Sequence, residues 1–277
     1  MLYAASRAIM VASRFLIAAN DWGLGASWSF VFGARAAKPS AGTAVKGLPG
    51  RFYHRGRPDK AVLTQFAMDF GYLDPGEHAP ISTVVDAGAN IGVFSALARR
   101  LYPEARILAM EIEPANLAIL SRNAEGIGGV EVIAMALWKE RATLNIVFGA
   151  TPDGHSVTDT LSSADGRVEA MSLHDLMDQF GLPEIDVLKM DIEGAESEVI
   201  QALSDEDLSR INSIRFECAD SDSAGNTLRI CGRLLNEDFD AFAFGENVHL
   251  VRRRTGWIFR RHYAGVGAIP SFGSTHR

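Results

Sequence analysis

The sequence predicts an α/β fold in which helices cover both faces of a mostly parallel, Rossmann-like sheet. From residue 82 onward, short apolar runs such as "STVVDAG", "ARILAMEI" and "IDVLKMDI" alternate with segments of helical spacing. These runs lack a regular apolar–polar alternation, which is typical of parallel strands that are buried on both sides. The last two runs, in "DAFAFGENVHLVRR", are joined by a tight turn, so one edge strand should be antiparallel.

The elements follow one another in a regular order. "RFYHRG" predicts a short strand, and "DKAVLTQFAMDFGYL" predicts a helix with Asp59 as N-cap. "NIGVFSALARRLY" has helical spacing, and "PANLAILSRNAEGIG" is a helix that begins at Pro114 and ends near Gly126. "VEVIAMAL" is the third strand, "ATLNIVFG" a hairpin strand, and "SLHDLMDQFG" a helix between Ser172 and Gly181. "AESEVIQAL" and "TLRICGRLLNED" are helices on either side of the strand "INSIRFEC".

Length and composition fit one large domain with extensions. The chain has 277 residues, of which 47% are hydrophobic and 22% charged, with a formal net charge of −7. A duplex nucleic-acid binder usually carries a basic footprint, so no nucleic-acid partner is expected. Cys218 and Cys231 fit neither a common zinc pattern nor a disulfide framework, which favours a reduced, cytoplasmic protein.

The two ends of the chain differ from its middle. Arg7 and Arg14 interrupt the apolar N-terminal run before it reaches the ~20 residues that a membrane span needs. An amphipathic helix is expected there, either packed on the domain or in peripheral contact with a membrane. The arginines of 252–263 form either a solvated edge or a surface for an anionic substrate or lipid. Three segments are predicted: an apolar helical extension with a linker (1–50), the main domain (51–255) and a basic tail (256–277).

The first strand ends in a glycine-containing turn, "VVDAGANIGVFS". Gly88 would let the backbone turn tightly and approach a ligand, and Gly92 would let the next helix pack against the strand. A dinucleotide site needs G-x-G-x-x-G, whereas these glycines are spaced G-x-x-x-G. The Asp86 carboxylate would repel a pyrophosphate but could pair with an α-amino group, such as that of S-adenosylmethionine. The alternative is an ordinary strand–turn–helix in which Asp86 is a cap.

Acidic and apolar residues after the next strands could complete a nucleoside site. Glu111 lies about as far beyond Asp86 as the acid that binds ribose hydroxyls in a Rossmann-type sheet. Glu113 is the rival, but the apolar run ends at Glu111 and Pro114 begins the helix. After the third strand, three apolar residues could line an adenine pocket or belong to the core: Met135, Ala136 and Leu137.

Three segments, "VVDAGANIGVFS", "AMEIEPANLAIL" and "LKMDIEGAESEVI", together resemble the FkbM-type family of S-adenosylmethionine-dependent methyltransferases. The resemblance extends from "RFYHRGRPDKAVL" to "SIRFEC", and its K-x-D-x-E-G-x-E segment is the part most particular to the family. It implies a seven-stranded sheet and methyl transfer, usually to a hydroxyl of a sugar, glycolipid or natural product. Ile112 stands where the family often has proline, while Glu111 keeps the carboxylate. The implied cofactor-binding residues are Asp86, Gly88, Ala89, Asn90, Gly92, Glu111, Ile112, Met135 and Ala136.

The segment "DIEGAE" follows the fourth strand and therefore lies beside the predicted cofactor crevice. Asp191 is the candidate base or acceptor-orienting group, with Glu193 as its partner and Lys189 and Glu217 as neighbours. The alternatives are that the carboxylates stabilise the N-terminus of the next helix by ~0.3–1 kcal/mol each, or hold Mg²⁺. His155 is a second candidate base, and no histidine–cysteine cluster favours zinc.

Two other functions compete with methyl transfer. An NAD-dependent oxidoreductase or epimerase would use the same kind of sheet, but the missing middle glycine and Asp86 count against it. An inactive scaffold would need none of the acids and glycines that this chain retains. The expected partners are a cofactor and a small-molecule, sugar or lipid-linked acceptor.

Overall fold

The computed structural model describes most of the chain from residue 80 to residue 255 and a few shorter pieces. The described residues are 42–44, 50–55, 59, 62, 73–74, 80–148, 155–158, 166–192, 194–217, 225–244, 247–255 and 260–261. The predicted N-terminal helix, residue Glu193, Cys218 and most of the basic tail lie outside these ranges. Within them, no helix combines the length and the apolarity that crossing a bilayer requires.

The strands are numbered in chain order. They are β1 (Thr43–Ala44), β2 (Arg51–Phe52), β3 (Leu73–Asp74), β4 (Thr83–Ala87), β5 (Arg106–Met110), β6 (Val130–Ile133), β7 (Ala136–Leu137), β8 (Ala142–Phe148), β9 (His155–Thr158), β10 (Gly166–Met171), β11 (Val187–Met190), β12 (Ser213–Glu217), β13 (Phe239–Phe244), β14 (Asn247–Arg252) and β15 (Arg260–Arg261). The α-helices are α1 (Val93–Leu101), α2 (Pro114–Ile127), α3 (Leu173–Phe180), α4 (Glu196–Ala202), α5 (Asp205–Ser209) and α6 (Asn226–Leu235).

Helix boundaries follow the local sequence. Helix α2 starts at Pro114, as predicted, because the Glu113 side chain caps it and proline suits its first turn. Helix α3 has a capping box at Ser172 and ends at Gly181 with φ of 61°, also as predicted. Helix α2 extends past Gly126 to Ile127, with Gly128 as its C-cap. The end predicted at Gly126 was therefore too early.

Seven strands form the central sheet in the order β13-β14-β12-β11-β4-β5-β6. The pairs β4–β5, β5–β6, β4–β11 and β11–β12 are parallel, and β14 is antiparallel to both β12 and β13. The prediction of a mostly parallel α/β sheet with seven strands is confirmed. The antiparallel strand is second from the edge, because the chain returns from β13 into the space beside β12.

The chain fills this sheet outward in both directions from β4. After β4 the next strands, β5 and β6, lie on one side, whereas β11 and β12 lie on the other. Strand order therefore reverses between β4 and β11, and ligands of open α/β sheets bind beyond the carboxyl ends of such strands. The residues that follow Ala87 and Met190 are accordingly the ones that position a site.

The core lies on both faces of the central strands. All residues of β4 and β11 are buried. Val85 and Leu188 face a large cluster with residues of α3, α4 and α6, whereas Val84 and Val187 face Phe94 of α1. Burial on both faces explains why these strands read as apolar runs without alternation.

A second sheet of four strands, in the order β7-β10-β8-β9, lies beside the first. Strand β8 pairs antiparallel with β9 and β10, so the predicted hairpin strand is confirmed. The run "VEVIAMAL" is divided: β6 ends at Ile133 in the central sheet, and β7 begins at Ala136 in the second sheet. One strand was predicted there because the run is mostly apolar throughout. The sequence contains no signal for the change from one sheet to the other.

Candidate active site

The β4–α1 turn, residues 88–92, lies at the carboxyl end of β4. Gly88, Asn90 and Gly92 have φ of 72°, 51° and 86°, so alternate residues take the left-handed conformation. The Ala89 amide donates to the Met110 carbonyl at 2.8 Å, and the Gly92 amide to the Ala89 carbonyl at 2.8 Å. These bonds fix the turn against the end of β5.

The two glycines of this turn make room for protein atoms. A Cβ on Gly88 would lie 1.8 Å from the Asp191 carbonyl oxygen, so the absent side chain admits the backbone that leaves β11. The expectation that Gly88 also lets a ligand approach the backbone stays a prediction. A Cβ on Gly92 would lie 2.8 Å from Leu120 Cδ1, so the missing side chain makes room for helix α2. The prediction was that it would let the next helix pack against the strand.

The Asp86 carboxylate points into the protein. Its residue is fully buried, its Oδ2 accepts a hydrogen bond from Ser95 Oγ at 2.7 Å, and its Oδ1 lies 3.3 Å from Lys189 Nζ. The Asp86 carboxylate thus forms an internal ion pair with Lys189 beneath the turn. Its pairing with the α-amino group of the cofactor stays a prediction.

Lys189 joins the β4–α1 turn to the end of β11. It lies directly opposite Asp86 in the β4–β11 register, and its side chain is 8% exposed. Its Nζ donates to the Gly88 carbonyl at 2.7 Å and the Ala87 carbonyl at 3.3 Å, and it lies 3.5 Å from Asp191 Oδ2. A buried ammonium is tolerated only with such partners. Lys189 thus connects both halves of the site without being at the surface.

Glu111 accepts three backbone hydrogen bonds at the end of β5. Its Oε1 accepts from the amides of Ile112 at 2.7 Å and Glu113 at 2.8 Å, and its Oε2 accepts from Asn90 at 2.7 Å. An ionised carboxylate offers about four acceptor positions, so about one remains, on Oε2. The rival Glu113 is used as the cap of α2, where it accepts from the Asn116 amide at 2.5 Å. The geometry thus leaves Glu111 as the acid that could accept a ribose hydroxyl.

Groups in the turn suit a polar cofactor. Asn90 Oδ1 is buried, and within the described residues it has no hydrogen-bond partner. Helix α1 begins at Val93, and its N-cap residue, Gly92, has no side chain to cap it, so the first amides of the helix point toward the turn without a side-chain partner. Buried polar groups normally find partners, and a bound nucleoside or carboxylate would supply them. These residues therefore fit S-adenosylmethionine.

The apolar residues of the predicted adenine pocket are divided between two cores. Ala136 is buried in the second sheet, and Ile112 packs on the same cluster. Met135 is half-buried and packs on the central core, together with Leu137. Their contact with adenine stays a prediction.

Asp191 presents a partly exposed carboxylate at the carboxyl end of β11. Its side chain is 39% exposed and lies 3.5 Å from Lys189 Nζ through Oδ2. Its backbone amide donates to the Ala87 carbonyl at 3.1 Å, which holds it beside the β4–α1 turn. The partly exposed Glu217 ends the neighbouring strand β12, whereas Glu193 lies outside the described residues.

Glu196 has a role that sequence reasoning missed. It is the first residue of α4 and 2% exposed, and its Oε1 accepts from the Ile192 amide at 2.9 Å. Its Oε2 is buried, and no hydrogen-bond partner for it occurs in the described part of the chain. Burial raises the pKa of this carboxyl above its ordinary value, and the nearby Asp191 charge acts in the same direction. The spacing E-G-A-E could have suggested a carboxylate that folds back onto its own loop.

Two further expectations concern the chemistry of the site. His155 lies in β9, but only its backbone is described, so its role as a base stays a prediction. Among the described residues, no group of three or more histidines, cysteines or acids is arranged to hold a metal ion.

Known proteins resemble the chain over this region. The family model described as "Methyltransferase FkbM domain" matches residues 86–243. "Methyltransferase 1" of Beauveria bassiana is 32% identical over 163 residues, which are 50% of this chain and 66% of that protein. "Methyltransferase sdnD" of Sordaria araneosa is 31% identical over 195 residues, which are 57% of this chain and 72% of that protein. A solved rRNA methylase from Streptococcus thermophilus aligns with 72% of this chain and 98% of its own, at 15% identity and a TM-score of 0.39.

Proposed function

Because the chain belongs to the FkbM methyltransferase family, we propose that it transfers the methyl group of S-adenosylmethionine to a hydroxyl oxygen of a small-molecule acceptor. The observation that carries this proposal is the position of Asp191. It is a half-buried carboxylate that directly follows β11, and its backbone is in contact with Gly88 of the β4–α1 turn. A proton acceptor thus lies beside the place where the turn fits a cofactor.

The residues of the site have different roles in the proposed reaction. S-adenosylmethionine supplies an electrophilic methyl group, and the protein has to align it with the acceptor oxygen. Asp191 accepts the proton of the acceptor hydroxyl or orients that hydroxyl, a contribution of about 10²–10⁴-fold in rate. Lys189 holds Asp191 in place through its ammonium at 3.5 Å, and Glu111 accepts a ribose hydroxyl through its remaining position.

The family and the charge of the chain support the proposed acceptor class. A hydroxylated sugar, glycolipid or natural product offers the oxygen that this mechanism needs. The chain carries a formal net charge of −7, which does not favour a polyanionic nucleic acid. We therefore expect a small or lipid-linked molecule as the acceptor.

Asp191→Asn tests the role of the carboxylate. Wild-type protein is incubated with S-adenosylmethionine labelled in the methyl group and a fractionated lysate, and the labelled product is identified. We expect Asp191→Asn to bind S-adenosylhomocysteine normally but to methylate at least about 10²-fold more slowly, because the proton acceptor is lost. Glu198→Gln, at a 55% exposed carboxylate of α4, is the matched control and should keep its rate.

Two results would contradict the proposal. Methylation by Asp191→Asn at the wild-type rate would remove this residue from the role of base. Label transferred to nitrogen or carbon would contradict hydroxyl methylation. Calorimetry with NAD distinguishes the competing class, since tight NAD binding without a response to S-adenosylmethionine would indicate an oxidoreductase.

A further inference from the structure

A segment that precedes the matched family domain runs along helix α2. This upstream segment comprises residues 50–55. At the carboxyl end of α2, Gly50 lies so close to Gly126 that a Cβ on Gly50 would be 2.2 Å from the Gly126 carbonyl oxygen. Phe52 is 2% exposed and packs in one cluster with Ile91 and Ile127. The segment is thus part of the folded domain and touches the β4–α1 turn through Ile91.

Asn123 of α2 makes a polar connection between the upstream segment and the turn. This residue is fully buried. Its Oδ1 accepts from the Tyr53 amide at 2.6 Å, and its Nδ2 donates to the carbonyls of Tyr53 at 3.0 Å and Ile91 at 2.7 Å. One side chain therefore satisfies backbone groups of both the segment and the turn.

Arg55 makes a second connection at the amino end of α2. Its Nη2 donates to Asp59 Oδ1 at 2.6 Å and to Asn116 Oδ1 at 2.7 Å. Asp59 is 1% exposed and also accepts from the Arg55 amide, so the guanidinium is held in one orientation. Arg55 Nη1 lies 4.0 Å from Glu113, the cap of the helix.

From Arg55 a continuous chain of hydrogen bonds leads to the candidate cofactor site. The side-chain oxygen of Asn116 accepts a hydrogen bond from Arg55, and the backbone amide of Asn116 donates one to Glu113 Oε2. Glu113 donates its amide to Glu111 Oε1, and Glu111 Oε2 accepts from the Asn90 amide. Each residue in this series is hydrogen-bonded to the next, and the series leads to the Glu111 carboxylate, which keeps about one free acceptor position.

We propose that Arg55 is a positioning residue for the cofactor: through Asn116 and Glu113 it aims the Glu111 carboxylate at the ribose of S-adenosylmethionine. This inference rests on the proposed placement of the ribose at Glu111. Small displacements of a positioning group cost large factors in rate, and a guanidinium presents its donors in a rigid planar fork. Arg55 lies upstream of residue 86, where the match to the family model begins.

The experiment measures the affinity of the full chain for S-adenosylhomocysteine by calorimetry, without an acceptor. We expect Arg55→Ala to raise the dissociation constant about tenfold, because charge-assisted hydrogen bonds to the loop support are lost. Arg55→Lys keeps the positive charge and ammonium donors but loses the planar fork, so its dissociation constant should lie between those of wild type and Arg55→Ala. Arg51→Ala is the matched control: the Arg51 guanidinium donates to the Gly42 carbonyl, away from α2, so its affinity should stay within about twofold of wild type.

A second measurement separates affinity from folding. A reversibly unfolded fraction also raises the apparent dissociation constant, so the folded fraction of each variant is measured by denaturant unfolding and the dissociation constant is corrected for it. A misdirected Glu111 leaves a raised dissociation constant after this correction. If Arg55→Ala does not fold, Asn116→Ala removes only the side-chain link to Arg55, and we expect a several-fold weaker affinity from it. If the variant that folds, Arg55→Ala or Asn116→Ala, binds S-adenosylhomocysteine with wild-type affinity, the inference about Arg55 is wrong and the proposed function is unaffected. Failure of the wild-type protein to bind would overturn the proposed cofactor site as well.

Discussion

At the scale of single residues, the site is built by contacts across the sheet. Asp86 and Lys189 are paired in register although more than one hundred positions separate them in the sequence. Asp86 lies within β4, and the cation that meets its carboxylate could not be read from neighbouring positions in the sequence. The sequence alone therefore did not predict the internal ion pair.

Gly88→Ala should damage the site at a single atom. The new methyl group would lie 1.8 Å from the Asp191 carbonyl, and φ of 72° is strained for alanine, so we expect at least about 2 kcal/mol of destabilisation. Denaturant unfolding measures it. In Gly232→Ala, on helix α6, the methyl group would meet no atom within 4 Å, and stability should rise by up to about 1 kcal/mol. Equal effects of the two substitutions would refute the close approach at Gly88.

Glu196→Gln should change how stability depends on pH. Burial raises the pKa of the Glu196 carboxyl in the folded state, so the native protein binds the proton more tightly than the unfolded chain. This contribution is complete below the unfolded pKa and is lost as pH rises through the folded pKa. Glutamine does not titrate, so the unfolding temperature of the variant should improve relative to wild type as pH rises from the ordinary range of a glutamate pKa through its raised value in the folded state. A constant difference across this range would contradict the raised pKa.

At the scale of elements, the boundaries that local chemistry determines were predictable. Ser172 and Pro114 begin their helices as expected, because capping and proline geometry depend on neighbouring residues. The division of "VEVIAMAL" between two sheets depends on which strand each half meets, and periodicity does not contain that information. The choice of Glu111 over Glu113 as the ribose ligand stays a prediction, and the use of Glu113 as the cap of α2 agrees with it.

The link between β4 and β11 can be tested as a pair. Lys189→Met leaves the fully buried Asp86 without its cation, which we expect to cost about 3–5 kcal/mol. Asp86→Asn with Lys189→Met removes both charges and should recover part of that loss. Unfolding of wild type, both single variants and the double variant measures the coupling.

Activity should respond differently from stability in this cycle. The double variant still lacks the ammonium that lies 3.5 Å from Asp191. We therefore expect methylation to stay impaired where stability is recovered. Additive losses of stability, without coupling, would contradict a direct interaction between Asp86 and Lys189.

At the scale of the whole molecule, the site connects segments that are distant in sequence. The β4–α1 turn, the end of β5 and the end of β11 meet where strand order reverses, and helix α2 ties the upstream segment to them. The order of strands and helices predicted the parallel sheet and the edge that carries the site, because crossover connections place strand ends together. The support from Arg55 was not predictable, since it depends on a helix that passes beside the segment.

Because these segments belong to one folded unit, cofactor binding should stabilise the entire domain. A ligand that binds only the native state adds about 2.7 kcal/mol when its concentration is one hundred times its dissociation constant. We expect S-adenosylhomocysteine to raise the unfolding temperature. NAD should leave it unchanged, because the β4–α1 turn lacks the glycine pattern for a pyrophosphate. Asp191→Asn should retain the full shift, since Asp191 is assigned to the acceptor and not to the cofactor. Loss of the shift in Asp191→Asn, with the fold intact, would move this residue into the cofactor site and leave the acceptor proton without a base.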